Sequence, residues 1–478
     1  MNLHDSFCLA RLKGREDVPH MQRVAVVNVV GLSTSLIGDS TPAIRDFAGR
    51  AGLQSFRPAF PAVTCTAQSS MLTGLPSGGH GIVANGWYDR ESAEVRFWKQ
   101  SNRLVRGKKV WEVLKERHPE FTCANLFWWY NMATAADYAM TPRPLYPADG
   151  RKVFDIHTQP MPWREEVKEA LGDFPFPSFW GPMAGIESSE WIAGATKWTE
   201  ERSEPTLSLV YLPHLDYCLQ KFGPGSAPIA EELRKIDSVV SDLIDFYEQR
   251  GVKVVIVSEY GISRVSRPIH LNRLFREEGW LQVKDELGRE TLDVFGSEVF
   301  AVADHQIAHV YSRHGATPEL RAFLEKIDGV AEVRDSIDGD RSGDFVVVAE
   351  PDAWFTYYYW EDDDQAPDFA RTIDIHRKPG YDPAELFIDP ALSLPKWQIA
   401  KFLFRKKIGL RGLLEVIPLD ASLVKGSHGR DDVSVEEQPV ILGAPMRVSA
   451  AEDVFSAIVE SVAPGSSGQA SASKVLLR

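Results

Sequence analysis

Residues 60–74 read Phe-Pro-Ala-Val-Thr-Cys-Thr-Ala-Gln-Ser-Ser-Met-Leu-Thr-Gly. The stretch ends an apolar run and opens a segment with the composition of a helix, with small hydroxyl residues at the junction. Unpaired backbone N–H groups in the first turn of a helix favour anions, so a hydroxyl there is well placed to meet a phosphate. Thr64 is therefore a candidate nucleophile. The alternative is an N-cap, the ordinary role of Thr at a helix start.

Three apolar runs rich in β-branched residues predict strands that are buried on both faces: residues 23–32, 206–212 and 252–258. A helix is predicted to begin at 41–43, with Thr as cap and Pro in the first turn, and apolar residues recur at helical spacing in 229–250. Because strand and helix alternate, we expect an α/β fold with a mostly parallel central sheet flanked by helices. Ligands of such sheets bind beyond the carboxyl ends of the strands.

The residue pattern changes in 263–385. This region contains short segments with the alternation typical of strands and an aromatic, acidic run at 354–364. We expect a smaller cap here, inserted between a first part of the core at 21–262 and a final part at 386–460. The aromatic, acidic run predicts a cap surface or an oligomer contact.

The two ends of the chain have the composition of unfolded segments. Residues 1–20 are polar and mixed without an apolar core, so we expect no signal peptide and a mobile extension. Small polar residues dominate 461–478, which we expect to be a disordered tail.

The chain has 478 residues and a formal net charge of −14, which argues against binding to nucleic-acid polymers or anionic membranes. It contains no apolar run of about 18 residues, so no transmembrane helix is expected. Scattered cysteines without a CxxC pair predict reduced thiols and a cytoplasmic location; they are Cys8, Cys65, Cys123 and Cys218. Homo-oligomerisation is left open.

Four polar clusters lie next to predicted strands: Thr64, His214 with Asp216, residues 258–261 (Ser-Glu-Tyr-Gly) and residues 427–429 (Ser-His-Gly). Their order resembles that of the alkaline phosphatase superfamily and, within it, the type I phosphodiesterase / nucleotide pyrophosphatase group. The resemblance covers roughly 22–262 and 395–445.

The opening motifs resemble that family most closely. Residues 41–44 are similar to its TPNL motif, and 60–64 are similar to FPTKT, whose last Thr is the nucleophile. Residues 74–89 resemble the GLYP…HGIVGN..YD block. The Asn of that block helps to stabilise the phosphoryl group, and Asn85 holds its place here.

The resemblance also implies two divalent metals, usually zinc, held by Asp and His side chains. A nearby cation lowers the pKa of a hydroxyl nucleophile, and two cations neutralise charge on the reacting oxygens. This chain departs from the pattern in several positions. Val30 replaces the Asp of V-D-G-L, Gln220 replaces the His of D-x-x-G-H, and Glu259 and Tyr260 replace the Asp and His of S-D-H-G.

Two expected ligands are unchanged, Asp216 and His428. We therefore expect one divalent ion rather than two, held by these residues with His214 or Glu259. An oxygen-rich site of this kind suits Zn²⁺, Mg²⁺ or Mn²⁺. A site without metal is the alternative.

Each ligand candidate also has a structural interpretation. Asp216 and Asn85 can satisfy buried turns, and His214 can be a packed loop histidine. Glu259 can ligate, act as a general base or form a structural pair. His428 can belong to a glycine-rich surface turn.

Further candidates surround the motifs. Gln220 and Tyr260 are candidate substrate-binding residues, and Tyr260 can equally fill an abandoned metal pocket. Lys221 and Arg430 lie beside motif residues and can supply positive charge for a phosphoryl group.

The remaining histidines of interest lie in the predicted cap. His305 and His309 are four residues apart, but their β-forming flanks predict a strand or a tight hairpin rather than a helical metal pair. His376 lies in a Pro-Gly turn, which either gates an anionic substrate or is a surface turn.

These patterns predict a metal-dependent phosphoric-ester hydrolase acting on a small phosphorylated metabolite. In this reading Thr64 attacks phosphorus, Asn85 and a metal stabilise the charge, and Glu259 or His214 handles protons. The alternative is a non-hydrolytic family member that binds a small anion or a partner protein. Both require Thr64, Asp216 and His428 to converge in one crevice.

Overall fold

The structure, a computed structural model, describes residues 21–149, 151–407, 410 and 412–465. The extension predicted for 1–20 lies outside the described residues, as does the predicted tail from 466 onward. The first residues of that tail are helical, because the last helix ends only at Val462.

The strands are β1 Val24–Val29, β2 Leu53–Ser55, β3 Gly86–Asp89, β4 Glu94–Phe97, β5 Cys123–Leu126, β6 Tyr138–Pro142, β7 Ile156–Gln159, β8 Leu207–Leu212, β9 Lys253–Val257, β10 Ser263–Arg264, β11 Arg267–Ile269, β12 Val283–Glu286, β13 Arg289–Leu292, β14 Val299–Asp304, β15 Ile307–Ser312, β16 Val330–Asp335, β17 Phe345–Ala349, β18 Ala353–Phe355, β19 Gly426–Ser427 and β20 Val440–Leu442. The helices are α1 Pro42–Ala51, α2 Thr64–Thr73, α3 Ser77–His80, α4 Val110–Arg117, α5 Trp163–Leu171, α6 Phe176–Phe179, α7 Ile186–Ser203, α8 His214–Phe222, α9 Ile229–Glu248, α10 Leu271–Glu277, α11 Pro318–Leu324, α12 Pro395–Lys407 and α13 Asp453–Val462.

An eight-stranded sheet in the order β2-β20-β9-β1-β8-β5-β6-β7 forms the centre of the protein. Its middle strands, from β9 to β6, run parallel, whereas β7, β20 and β2 are antiparallel to their neighbours. Strands β1 and β8 are buried along their whole length, as continuous apolar runs require in a sheet covered on both faces. The predicted α/β fold and its three central strands are confirmed.

Helix α1 begins where the sequence predicts, but Thr41 does not cap it. The Thr41 hydroxyl instead donates to the Leu36 carbonyl. Asp237 of α9 accepts hydrogen bonds from the backbone N–H groups of Ala43 and Ile44 and satisfies the first turn from outside. A carboxylate is a strong acceptor at a helix N-terminus, which explains why the hydroxyl is not needed there.

A four-stranded antiparallel sheet, β14-β15-β17-β16, lies within the region predicted to be an inserted cap. It has an apolar core of its own, and the aromatic part of the run at 354–364 belongs to that core. Trp354, Trp360 and residues 357–359 are all buried. The prediction that these rings form a cap surface or an oligomer contact is wrong, because they supply the large apolar area that this smaller core needs. Only the acidic residues at 361–364 are exposed.

The predicted hairpin around the cap histidines is confirmed. Strands β14 and β15 pair from Val299–Ser312 to Asp304–Ile307, so His305 and Gln306 form a two-residue turn. His305 has φ +64°, the left-handed conformation that such turns require. His309 lies inside β15, where its ring is bonded to the Val83 carbonyl and the Gly343 N–H.

Within the described residues, no helix is both long and apolar enough to cross a membrane.

Candidate functional site

The carboxyl ends of β8 and β9 bring three predicted site residues together. Thr64 is the first residue of α2, Asp216 lies in the first turn of α8, and Tyr260 follows β9. The Tyr260 phenol oxygen is 2.8 Å from Thr64 Oγ1 and 3.2 Å from Asp216 Oδ1. The phenol therefore lies between the candidate nucleophile and the retained carboxyl group.

Either hydroxyl can donate in the 2.8 Å contact between Thr64 and Tyr260. While Asp216 is ionised, the single hydroxyl proton of Tyr260 goes to Asp216, and Thr64 is then the donor to Tyr260. On the other side, Gln220 Nε2 donates to Asp216 Oδ2 at 2.8 Å. The Tyr381 hydroxyl donates to Gln220 Oε1 at 2.8 Å and fixes the orientation of that amide. Two chains of donors thus converge on Asp216.

Asp216 is almost completely buried, and burial raises its pKa to about 7, although the hydrogen bonds from Tyr260 and Gln220 oppose this increase. A carboxyl group with such a pKa gains and loses a proton near neutral pH. It can therefore receive the proton that Thr64 would release on becoming a nucleophile.

Glu259 lies next to this chain and is held by two amides. Asn28 Nδ2 and Gln68 Nε2 donate to its Oε1 at 2.6 and 2.5 Å. Burial raises the pKa of Glu259 to about 8 against the effect of these hydrogen bonds, and the nearby Asp216 raises it further. The Glu259 carboxyl is therefore predominantly protonated at neutral pH.

A stack of four rings closes the site. His428 stacks on Tyr260, His305 on His428 and Tyr381 on His305, each pair with ring centroids 3.7 Å apart. His428 Nδ1 donates to the Ala62 carbonyl at 2.7 Å, and its Nε2 lies 3.6 Å from Asp216 Oδ1. Burial lowers the pKa of His428 to about 3, so the ring is neutral. Thr64 keeps only 7 % of its surface exposed beneath this stack.

The backbone fixes the position of the stack. The Gln306 N–H donates to the His428 carbonyl at 2.8 Å, which joins the cap hairpin to the loop that carries His428. Gly429 has φ +128°, and a Cβ there would meet the Gln306 backbone nitrogen at 3.1 Å. A glycine therefore allows the two loops to approach closely.

Asn85 has a structural role that the sequence only partly predicts. Val63 cannot cap α2, and Asn85 Oδ1 accepts the Cys65 N–H at 3.0 Å in its place. Asp304 in turn accepts both the Asn85 N–H at 2.7 Å and its Nδ2 at 3.1 Å. The Asn85 amide therefore has a structural partner at each end, and these contacts use one of the two hydrogens on its Nδ2. Burial raises the pKa of Asp304 to about 7.

Three predicted site residues do not join this cluster. His214 and Lys221 lie on another face of α8, where His214 Nε2 is 2.8 Å from Glu232 Oε2. Arg430 is bonded to the Ala349 carbonyl and to Asp432. These contacts do not support the predictions that His214 ligates a metal beside Asp216 and that Lys221 and Arg430 supply charge near Thr64, and both stay predictions. His376 is exposed.

Residues that the sequence does not indicate as candidates also build the site. The only sequence signal for Gln68 is its position one turn after Thr64 on α2. Asp304 and Tyr381 come from the cap, and nothing in their local sequence indicates that they reach the core. The sequence leaves His305 as a possible metal ligand, whereas in the structure its ring packs against the rings of Tyr381 and His428.

The described side chains do not fit the metal pair that the resemblance implies. Val30 is fully buried and has no donor atom, and Gln220 and Tyr260 offer neutral groups bonded to Asp216. In the described parts of the chain, no group of three or more His, Cys, Asp or Glu side chains is arranged to hold a metal ion. For a single ion, two of the predicted ligands remain, Asp216 and His428. Two amides occupy Glu259 Oε1, and His214 lies on another face of α8.

Comparison with known proteins agrees with this architecture. An uncharacterized pyrophosphatase/phosphodiesterase of Schizosaccharomyces pombe is 25% identical over 230 residues, which cover 46% of this chain and 40% of that protein. Ectonucleotide pyrophosphatase/phosphodiesterase family member 1 of Rattus norvegicus is 22% identical over 232 residues, covering 46% and 21%. The matched region is thus less than half the length of these curated relatives.

Solved structures show the same fold at low sequence identity. Murine ectonucleotide pyrophosphatase / phosphodiesterase 5, as an inactive variant in complex with AMP, superposes with a TM-score of 0.54 at 14% identity, covering 91% of this chain and 94% of that one. Phosphonoacetate hydrolase from Sinorhizobium meliloti, in complex with phosphonoformate, gives a TM-score of 0.56 at 14% identity, covering 93% and 96%.

The family model described as type I phosphodiesterase / nucleotide pyrophosphatase matches residues 24–382, which is most of the chain. The matched region contains Thr64, Asp216 and Tyr260. This chain belongs to the type I phosphodiesterase / nucleotide pyrophosphatase family.

Proposed function

We propose that this protein is a phosphoric-ester hydrolase acting on a small phosphorylated molecule, with Thr64 as its nucleophile and Asp216 as the proton acceptor. One observation carries the proposal. The Tyr260 hydroxyl bridges Thr64 Oγ1 and a carboxyl group whose pKa is about 7, so a proton path from Thr64 to Asp216 exists while Asp216 is ionised. Family membership supports the class of reaction, and the chain of donors supplies the activation that a neutral hydroxyl lacks.

In the proposed reaction the Thr64 proton moves to Tyr260 as the Tyr260 proton moves to Asp216. The Thr64 oxygen forms a bond to phosphorus, the ester P–O bond breaks, and the departing alcohol takes the proton back. Water then attacks the phosphorus of the phosphothreonine, one water proton restores the Thr64 hydroxyl, and the phosphoryl product leaves. The overall reaction consumes one water: a phosphomonoester yields the alcohol and phosphate, and a phosphodiester yields the alcohol and a phosphomonoester.

The role of the other groups follows from their contacts. Gln220 holds Asp216 in place and favours its ionised form by donating to Oδ2. Substrate entry requires the ring stack to open, because Thr64 and Asp216 are each only 7 % exposed in the closed form. The hairpin that carries His305 and the loop that carries Tyr381 are the elements that must move.

The second candidate is a non-hydrolytic protein that binds a small anion at the same crevice. The raised pKa values of the surrounding carboxyl groups allow this candidate: burial raises the pKa of Asp216 and Asp304 to about 7 and that of Glu259 to about 8, so these groups can be neutral. A phosphoryl anion fits beside these carboxyl groups only while they are protonated. An anion-binding site of this composition is therefore strongest below about pH 7.

One experiment separates the two candidates. The purified full chain is assayed against a phosphomonoester and a phosphodiester chromogenic substrate, beside Thr64→Ala and Thr64→Ser. Turnover that Thr64→Ala abolishes and Thr64→Ser retains in part supports the hydrolase. Saturable binding of the same esters without turnover, unchanged in Thr64→Ser, supports the binding protein and overturns the hydrolase.

A further inference from the structure

A cavity of about 230 Å³ lies between the start of α7 and the outer face of α8, next to the first turn of α9. Its wall includes His214, Cys218 and Lys221 of α8, Gly185 before α7, and Glu232 and Lys235 of α9. We call it the α8 cavity. It is smaller than the usual drug-sized pocket and has room for a small metabolite.

The α8 cavity is separate from the Thr64 crevice, although one helix borders both. Residues 214, 217, 218 and 221 follow the spacing of a single helix face and line the cavity. Asp216 and Gln220 lie on another face and belong to the Thr64 crevice. Two predicted site residues, His214 and Lys221, therefore lie at the α8 cavity and not at the Thr64 crevice.

Most charges at the cavity neutralise one another. Glu232 Oε2 is 2.8 Å from His214 Nε2, and Glu232 Oε1 is 2.9 Å from Lys235 Nζ. The His214 ring and, to a smaller extent, Lys235 lower the pKa of Glu232 to about 2. Glu187, in the first turn of α7, also lines the cavity, and its Oε2 lies 2.6 Å from where a Cβ on Gly185 would be. Glu232 is thus already engaged by two partners.

Lys221 is the exception. Its ammonium is half-buried, and its hydrogen bond goes to the Pro182 carbonyl at a long 3.4 Å. Among the residues that the structure describes, no carboxylate oxygen lies within 4 Å of Lys221 Nζ. Burial lowers the pKa of Lys221, and the attraction of the more distant Glu232 carboxylate opposes this decrease. His214 is 2 % exposed, and its Nδ1 has no hydrogen-bond partner in the same described set.

We propose that the α8 cavity binds a small anion, a phosphate or a carboxylate, as the missing ion-pair partner of Lys221. The uncapped start of α7 at Gly185 places backbone N–H groups at the same cavity, and these favour the same sign of charge. His214 supplies a further polar group to the ligand. This site lies outside the machinery proposed for ester hydrolysis.

The test is isothermal titration calorimetry of the full chain with inorganic phosphate and, separately, with malonate. We expect saturable binding of at least one of them. Phosphate binding without malonate binding assigns the site to phosphates, and the reverse assigns it to carboxylates. Absence of saturable binding for both anions overturns the proposal.

Variants locate the binding. Lys221→Met keeps the aliphatic stem but removes the charge, so we expect it to weaken binding by about tenfold or more, whereas Lys221→Arg retains it. Lys284→Met removes an exposed lysine of β12 and serves as the matched control. Circular dichroism confirms that each variant is folded.

Thr64→Ala distinguishes this proposal from the proposed function. The α8 cavity predicts unchanged anion affinity in Thr64→Ala, whatever happens to ester turnover. Binding that survives Lys221→Met but is lost in Thr64→Ala places the anion in the Thr64 crevice and overturns the proposal for the α8 cavity.

Discussion

The phenol oxygen of Tyr260 lies 2.8 Å from Thr64 Oγ1, at the position in the chain where the family motif has a metal-binding histidine. A metal would activate the threonine by electrostatic attraction, whereas a phenol can only accept or pass on a proton. In the proposed mechanism the phenol therefore takes the place of a metal in activating Thr64. The phenol also links Thr64 to Asp216, which accepts a hydrogen bond from the amide of Gln220, at the position where the family motif has another histidine.

Removing the phenol tests this link. In Tyr260→Phe, Asp216 loses a donor and Thr64 loses its acceptor, so we expect ester hydrolysis to fall about 100-fold. The free energy of unfolding should fall by about 1 to 2 kcal/mol, because a buried hydrogen bond is lost. Initial rates and urea unfolding measure the two effects. Tyr359→Phe, whose hydroxyl donates to the Glu290 carbonyl in the cap, is the control. Unchanged hydrolysis in Tyr260→Phe would remove the phenol from the mechanism.

The pH dependence of activity follows from Asp216. Its pKa of about 7 means that the ionised, proton-accepting form increases as the pH rises through neutrality. We expect kcat to rise between about pH 6 and pH 8 and then to level off. A binding protein at the same crevice shows the opposite trend, since anions enter best when the carboxyl groups are protonated. A rate profile that falls with pH over this range contradicts the role of Asp216 as the acceptor.

Protein stability should also depend on pH through Asp304. Burial raises its pKa from 3.8 to about 7 in the folded protein. Between about pH 4 and pH 7 the folded protein holds a proton that the unfolded chain has released. The stabilisation from this group is therefore complete at low pH, decreases as the pH rises through this window, and is constant above it.

Asp304→Asn isolates this effect because it cannot titrate. We subtract the unfolding free energy of Asp304→Asn from that of the wild type. This difference should be about 2 kcal/mol larger at pH 5 than at pH 8. Urea unfolding at several pH values measures this difference. A difference that stays constant from pH 5 to pH 8 would show that Asp304 has an ordinary pKa.

Restoring the lost ligands should restore metal binding. We expect the triple variant Val30→Asp, Gln220→His and Tyr260→His to bind zinc stoichiometrically after dialysis, measured by elemental analysis. The natural chain and the Gln220→His single variant should retain less, because the described side chains do not fit a metal pair. A full complement of zinc in the natural chain would contradict this interpretation.

A buried ion cluster holds the loop that closes the site. Lys378 Nζ lies 2.6 Å from Asp382 Oδ2 and 2.7 Å from Glu385 Oε1, and all three side chains are at most 2 % exposed. Lys378→Met leaves two buried carboxyl groups without their cation, so we expect a loss of about 3 to 5 kcal/mol in unfolding free energy. Tyr381 lies on the same loop, and its fluorescence or amide exchange should report loosening. Lys396→Met, at an exposed position of α12, is the control. A loss below about 1 kcal/mol would contradict a closing role for the cluster.

Much of the core could be predicted from local patterns. Continuous β-branched runs produce β1, β8 and β9 because strands covered on both faces need apolar residues at every position. Helical spacing in 229–250 produces α9 for the equivalent reason. The motifs also indicated that Thr64, Asp216 and His428 come from loops at one edge of the sheet.

The sequence by itself shows which groups surround Asp216, because Val30, Gln220 and Tyr260 stand at motif positions where the family has other residues. The sequence does not show which hydrogen bonds these groups form. Only the tertiary structure decided that Tyr260 joins Thr64 to Asp216, that Tyr381 reaches Gln220 from the cap, and that His214 and Lys221 face a different cavity. The reason is that helical periodicity and strand composition act over a few residues, whereas these contacts depend on how separate loops pack against one another in three dimensions.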